Sequence, residues 1–160
     1  NRACAAAEIL SATAQGPPAA AAILQRLRVE SDNPTRRNLI FALFSLGPSA
    51  SAAVPTLLAM FNDGDEETGS LAAFVLGKVG QQVPTAVPAL IEALHDKSWA
   101  VRNHAAYALR FFGNEAPVVI PALRLIATND SNLAVRRKAV GVIHLIEHEM
   151  QENARALQQK

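Results

Sequence analysis

The sequence predicts an all-α fold in which antiparallel helix pairs stack side by side as a solenoid. Two observations carry that expectation. The proline at position 55 recurs at 88 and 121, and a glycine closes the first two of those segments at 80 and 113, so residues 55–80 superpose on 88–113 at a period of thirty-three. Each period also holds two apolar patterns of helical type separated by a polar turn of about five residues, the signature of a helix hairpin. A unit this short buries its apolar stripe only against its neighbours, which is the constraint that defines repeat architectures.

Taken in order, residues 1–16 form a half repeat, because "NRACAAAEIL" matches "VRNHAAYALR" when Arg2 is set on Arg102. The chain is therefore expected to be a piece of a longer protein, with an alanine-rich helix "ACAAAEILSA" exposed at its front and able to associate end to end with another copy. About four helix pairs follow, over 17–47, 48–80, 81–113 and 114–147, as one continuous domain. The first has Ala22 at the proline position, and the last has one extra residue in its middle turn. In the first helices Leu24, Leu57, Leu90 and Leu123 align, followed three residues later by Leu27, Met60, Ala93 and Ile126. In the second helices Leu39, Ala72, Ala105 and Ala139 align, followed four later by Leu43, Leu76, Leu109 and Ile143. These columns are the expected core.

Gly47, Gly80 and Gly113 follow the second helices, where a left-handed cap favours glycine. Paired prolines, Pro84 with Pro88 and Pro117 with Pro121, open the first helices of the third and fourth pairs. The later proline of each pair is expected to remove a helical hydrogen bond and bend the helix. Ile146 and Glu147 stand where the fourth glycine would be, so the final helix is expected to run on through 148–160 as a polar extension.

Composition narrows the chemistry. Half of the 160 residues are hydrophobic, with six Phe, one Trp and one Tyr, so the core must come mainly from Ala, Leu, Val and Ile. A formal net charge of +1 gives no bulk attraction to a polyanion or a membrane surface. One cysteine, Cys4, forms no internal disulfide and no thiolate pair for a metal. No apolar run comes near the roughly 20 residues of a membrane span, and nothing resembles a signal peptide. Localisation stays open, a soluble cytoplasmic setting being preferred.

An acid precedes an arginine by six residues in three units: Glu30 and Arg36, Asp96 and Arg102, Asp130 and Arg136. In the remaining unit Asp63 keeps its place and Gly69 replaces the arginine, which makes Asp63 the expected weak point. A row of arginines reads either as an anion site or as a structural ladder in which each acid caps or pairs across its own turn. The matched spacing favours the ladder.

The segment "VPALIEALHDKSWAVRNHAAYALRFFG" resembles the HEAT-repeat superfamily, in particular the short class named after phycobilisome bilin lyases. The likeness rests on the proline-led first helix, Asp96, the pair Val101 and Arg102, the run Ala105 to Leu109 and the closing Gly113. It returns in "AVRRKAVGVI", less fully in "PTRRNLIFAL", and without its arginine in "ETGSLAAFVL". The resemblance implies a right-handed stack of helix pairs, an α-α superhelix whose second helices line a concave surface for protein recognition. Some relatives handle bilins, and deoxyhypusine hydroxylase holds a di-iron centre through His-Glu pairs at the start of several second helices. The matching positions here are Arg37-Asn38, Ser70-Leu71, Asn103-His104 and Arg137-Lys138, and none is His-Glu.

Neither a nucleophile with its base nor a phosphate loop is visible, and His144 and His148, one turn apart, have no third ligand in view. No catalytic residue, metal or cofactor is therefore expected. What stands out is an apolar column five residues after the arginine, Phe41, Phe74 and Tyr107, on the side of the second helix away from the core columns. Phe44 and Arg110 follow three residues on, with Arg37, Asn103 and Arg137 one turn back. Either the rings form a binding surface rimmed by arginine, or they fold down between second helices as extra core. Trp99, before the third second-helix, is a candidate second contact. The leading expectation is a non-enzymatic scaffold for a protein or peptide. A bilin-handling subunit is the alternative, and nucleic acid is disfavoured because acids share the turns that carry Arg36, Arg37, Arg136, Arg137 and Lys138.

Overall fold

The computed structural model describes residues 17–62 and 65–158, and every regular element among them is helical. The half repeat 1–16, its expected self-association surface and Asp63 lie outside the described residues. The helices are α1 (Pro17–Leu27), α2 (Asn33–Leu46), α3 (Val54–Ala59), α4 (Glu66–Val79), α5 (Ala86–Ala93), α6 (Trp99–Ala108), α7 (Ala116–Asn129) and α8 (Leu133–Gln158). Contacts divide the chain into two compact units that meet in sequence between Ala86 and Val87.

In the first unit α1 packs on α2, α3 on α4, and the two second helices, α2 and α4, pack on each other. Ile23, Leu39, Leu43, Leu57 and Leu76 are essentially inaccessible, and Ala72 and Ala73 are fully covered. Alanine at the contact lets the helix axes approach closely. The second unit repeats the scheme, with α7 on α8 and α6 on α8, around Leu90, Ala105, Leu109, Leu123, Ala139 and Ile143. Within the expected core columns only Leu24 and Ala93 are half-buried. Ile23, next to Leu24, takes the interior place in α1.

Helix starts follow local chemistry. Asp32 caps α2, its carboxylate accepting the Thr35 N–H at 2.9 Å and the Thr35 hydroxyl, and Pro34 sits in the first turn where no acceptor is lost. The later proline of a pair lies inside a helix in one case only. Pro121 lies inside α7, whereas α5 begins at Ala86, so Pro88 falls in its first turn and Pro84 in the turn before it. An N–H missing from a first turn costs no helical bond.

The glycine expectation also needs correction. Of the described glycines only Gly47 has a positive φ, 55° with ψ −135°. Gly80 ends α4 at φ −83° and continues into a 3₁₀ turn, its N–H bonded to Leu76. Ordinary backbone there is open to any residue. A Cβ on Gly113 would meet Glu149 Oε2 at 3.7 Å and Ile146 Cγ2 at 3.9 Å, which is normal contact.

The stretch Asn33–Ala59 is apolar and long enough by composition to cross a membrane, contrary to the reading of the sequence. It is not one straight helix, since α2 ends at Leu46 and a 3₁₀ segment Gly47–Ala53 intervenes before α3. Its Leu39, Ile40, Leu43 and Leu57 face the interior of the first unit. Helix α8 runs unbroken for 26 residues, and side chains 148–158 are all exposed.

Gly47→Ala is expected to destabilise the chain by about 1–2 kcal/mol because the backbone must leave its positive φ, while Gly113→Ala stays within about 0.5 kcal/mol. Urea unfolding of the two variants measures the difference.

Candidate functional site

Each unit carries its own cluster of rings and cations on its second helices. In the first unit α2 contributes Phe41 and Phe44 and α4 contributes Phe74. The Phe44 ring lies 5.6 Å from Phe41 and 5.1 Å from Phe74, both at an interplanar angle of 21°. Lys78 Nζ stands 4.2 Å from the Phe44 centroid. Phe41 is 52% exposed, and Phe44 and Phe74 are half-buried. Phe44 thus forms the centre of the stack, linking Phe41 to Phe74. An offset stack is worth about 0.5–1.5 kcal/mol beyond its buried area, and an exposed cation over a ring about 0.5–1 kcal/mol.

In the second unit Tyr107 of α6 meets Phe111 edge to face, centroids 6.1 Å apart at 85°. Arg110 lies 5.5 Å from the Tyr107 centroid and 5.0 Å from Phe111. Lys138 of α8 adds its ammonium 5.0 Å from Tyr107, so the phenol ring carries two cations. Arg137, beside it, is exposed. Asn103, one turn before Tyr107, keeps a buried Oδ1 with no hydrogen-bond partner among the described residues, an arrangement that costs about 1–3 kcal/mol. Trp99 is the first residue of α6 and 43% exposed.

The arginines divide by function. Arg37, expected on the rim of the rings, donates to Asp65 at 3.1 Å and lies 3.3 Å from Glu67. Its charge is answered within the unit. The Thr68 hydroxyl first, and then the Glu67 backbone and Arg37, hold the Asp65 carboxyl below its ordinary range against a partial desolvation. Arg110, Arg137 and Lys138 have no ion pair to a carboxylate among the described residues.

The acid and arginine series is wired differently from the six-residue expectation. Arg102 Nη1 donates to the backbone carbonyls of Asp96 and Lys97 at 2.8 and 3.1 Å, closing its own turn. Its Nε and Nη2 grip Asp130, twenty-eight residues on, at 2.7 and 2.9 Å in a bidentate pair. The acids serve their own turns through backbone N–H groups. Asp96 accepts from Ser98 at 2.7 Å and Asp130 from Asn132 at 2.8 Å. Glu30 accepts from Ser31 and Asp32 and pairs with Arg26. Arg136 Nη1 repeats the turn closure on the Asp130 and Ser131 carbonyls at 2.7 and 3.2 Å. Arg36 lies in the first turn of α2, its N–H bonded to the Asp32 carbonyl.

The Asp130 side chain is only 2% exposed. Arg102 chiefly, then the Asn132 N–H and Arg136, hold its carboxyl below the ordinary value in spite of burial. A shallow cleft of about 490 Å³ runs beside this pair, lined by Leu94, His95, Leu125 and Asn129 among others. Its one buried ion pair is already closed on itself. Among the described residues no group of three His, Cys, Asp or Glu could hold a metal ion. His104, on α6, is buried.

Sequence periodicity pointed to Phe41, Phe44, Phe74 and Tyr107 but not to Lys78, Phe111 and Lys138. Lys78 follows Phe74 by four residues and Phe111 follows Tyr107 by four, a spacing that could have flagged both. Nothing in the repeat pattern marks the approach of Lys138 to Tyr107 from another helix.

A chain whose described elements are all helical, with hairpins packed through alanine-lined second helices, a buried turn aspartate at Asp130 and arginine bonds between hairpins, is an α-repeat protein. The family model for HEAT repeats matches residues 54–144, more than half of the chain, and the protein belongs to the HEAT-repeat family. No curated protein matches it. HEAT repeats are commonly interaction scaffolds, and the family is generally non-enzymatic.

Asp130→Asn is expected to lower stability by about 3 kcal/mol, since it leaves the Arg102 guanidinium without its counter-charge. Because the folded carboxyl titrates below its ordinary 3.8, its stabilisation is complete above that pH and is lost as the pH falls through the lowered folded value. Chemical denaturation between pH 7 and pH 2.5 should show this acid loss reduced in the variant.

Proposed function

We propose that the chain is a non-enzymatic scaffold that binds a protein or peptide on the face of its second helices. The observation that carries this is the exposure of aromatic rings beside cations: Phe41 is half open to water at the end of a three-ring stack, and Tyr107 lies beside Arg110 and Lys138. Aromatic and arginine side chains supply most of the binding energy at protein interfaces, and a ring already stacked loses little rotamer freedom on binding.

Phe41, Phe44 and Phe74 act as apolar anchors in the first unit. Tyr107 and Phe111 play that part in the second, with Arg110, Arg137 and Lys138 favouring carboxylates on the ligand. Arg37 is a buttress of this surface rather than a contact, because Asp65 and Glu67 occupy it. The same pairing, with that of Arg102 to Asp130, removes charge that a nucleic-acid backbone would need.

Peptides selected from a displayed random library against the whole chain provide the test. Alanine at Phe41, Phe74 and Tyr107 together should weaken the selected peptides by about thirtyfold or more, as for hot-spot residues, with the helical circular dichroism retained. Unchanged affinity on a folded triple variant would falsify the reading.

A further inference from the structure

The ring position of the second helices, five residues after the arginine, is Phe41, Phe74 and Tyr107 in turn, and in α8 it is Gly141. Nothing in the fold asks for a glycine there. It lies inside a 26-residue helix, it is exposed, its φ is not positive, and a Cβ built on it meets nothing within 4 Å among the described residues. Glycine in a helix interior is the poorest helix former after proline, so α8 is weakened at this point and no packing contact explains it. What the glycine supplies is a gap, bare helix backbone where the earlier helices present a ring.

The gap lies among cations that no acid answers. On the helix surface Gly141 neighbours Arg137 and Lys138 one turn before it and His144 and Leu145 one turn after it. Arg137, His144 and Leu145 are exposed. Lys138 stands 5.0 Å from the Tyr107 centroid on α6, and Arg110 stands 5.5 Å from the same ring. From Leu133 to Ile146 α8 contains no Asp or Glu, and α6 contains none at all. Arg110, Arg137 and Lys138 form no ion pair with a carboxylate among the described residues. The first unit is different, since Asp65 and Glu67 at the start of α4 answer Arg37.

We propose that the Gly141 gap seats an aromatic side chain of an acidic peptide. The Phe, Tyr or Trp of the ligand lies on the bare backbone of α8 beside Lys138, and Asp or Glu residues on either side of it pair with Arg137, Lys138 and Arg110. This deepens the reading of the second-helix face as a peptide surface and rests on it. Charge complementarity chooses the occupant. A ring in the gap gains apolar contact with Leu145 and a cation beside its face, and a short run of carboxylates matches the three free cations. A nucleic acid needs a continuous basic groove with open rings for its bases, whereas Tyr107 already carries two cations and the chain has a formal net charge of +1.

Two displayed peptide libraries panned against the whole chain test the proposal. Both hold a central Phe, Tyr or Trp, and the positions on either side are Asp or Glu in one library and Asn or Gln in the other. The acidic library should yield binders that weaken by about tenfold or more when amides replace their acids or alanine replaces their ring. Gly141→Leu places a good helix former in open space, so binding should fall by about tenfold while the thermal midpoint stays level or rises. Lys138→Gln should weaken the acidic peptides and leave their amide counterparts unchanged. Binders indifferent to Gly141→Leu, or equal yield from both libraries, overturn the proposal, and if alanine at Phe41 and Phe74 removes those binders the broader peptide reading stands. An acidic library without binders overturns it as well, and an unbiased library that also yields none overturns both readings. Tighter binding of oligothymidylate than of the acidic peptides, or a dimer of the unmodified chain that Gly141→Leu dissolves, also overturns it, since the occupant is then a nucleic acid or a second copy.

Discussion

A helix of ten to fourteen residues, the length of α6 and α2, has one apolar stripe and no means of removing it from water by itself. It is also marginal as an isolated helix. Everything else in this protein follows from that constraint. Each first helix is covered by its second, and each second helix must be covered by a neighbouring second helix, so both sides of the contact need small residues. Ala72, Ala105 and Ala139 meet that need and are fully buried. The buried acids Glu30 and Asp130 lie at the turns, and the face of the second helices that points away from the core is left to vary.

The turns show how charge can be kept inside such a stack. Asp130 is nearly inaccessible, which would be unfavourable for a lone carboxylate. It is tolerable because its oxygens are shared between the Asn132 N–H and the fork of Arg102. Arg102 in turn spends Nη1 on the carbonyls that end the preceding helix region. One arginine thereby closes its own turn and clamps the turn of the next helix pair. Arg37 does comparable work in the first unit, from one position later in sequence and with Asp65 as its acid. The shift accompanies Gly69, buried in α4 where the other second helices carry arginine.

The core was legible because burial at helical spacing repeats in the sequence. The aromatic column was legible for the complementary reason, as apolar residues on a face where the period calls for polar ones, but its exposure was not: Phe41 is 52% exposed, and Phe44, Phe74 and Tyr107 are half-buried. What stayed hidden was partnership. Six-residue spacing between acid and arginine describes the turn correctly but names the wrong carboxylate, since the bond that matters spans twenty-eight residues and depends on how α6 and α8 pack. Glycines at the helix ends looked alike, yet only Gly47 has a backbone that needs one.

The sequence by itself determined that the chain is helical and which residues form the interior columns, because those properties depend on local periodicity and on the cost of apolar surface in water. Tertiary structure alone decided that Phe44 is the centre of its stack, that Arg37 is occupied by Asp65 and Glu67, and that Lys138 approaches Tyr107. It also decided that Arg136 closes its own turn on the Asp130 and Ser131 carbonyls and that Val140 is exposed. Each of these depends on the distance between atoms on different helices, and a repeat period fixes position along a helix without fixing what stands opposite it.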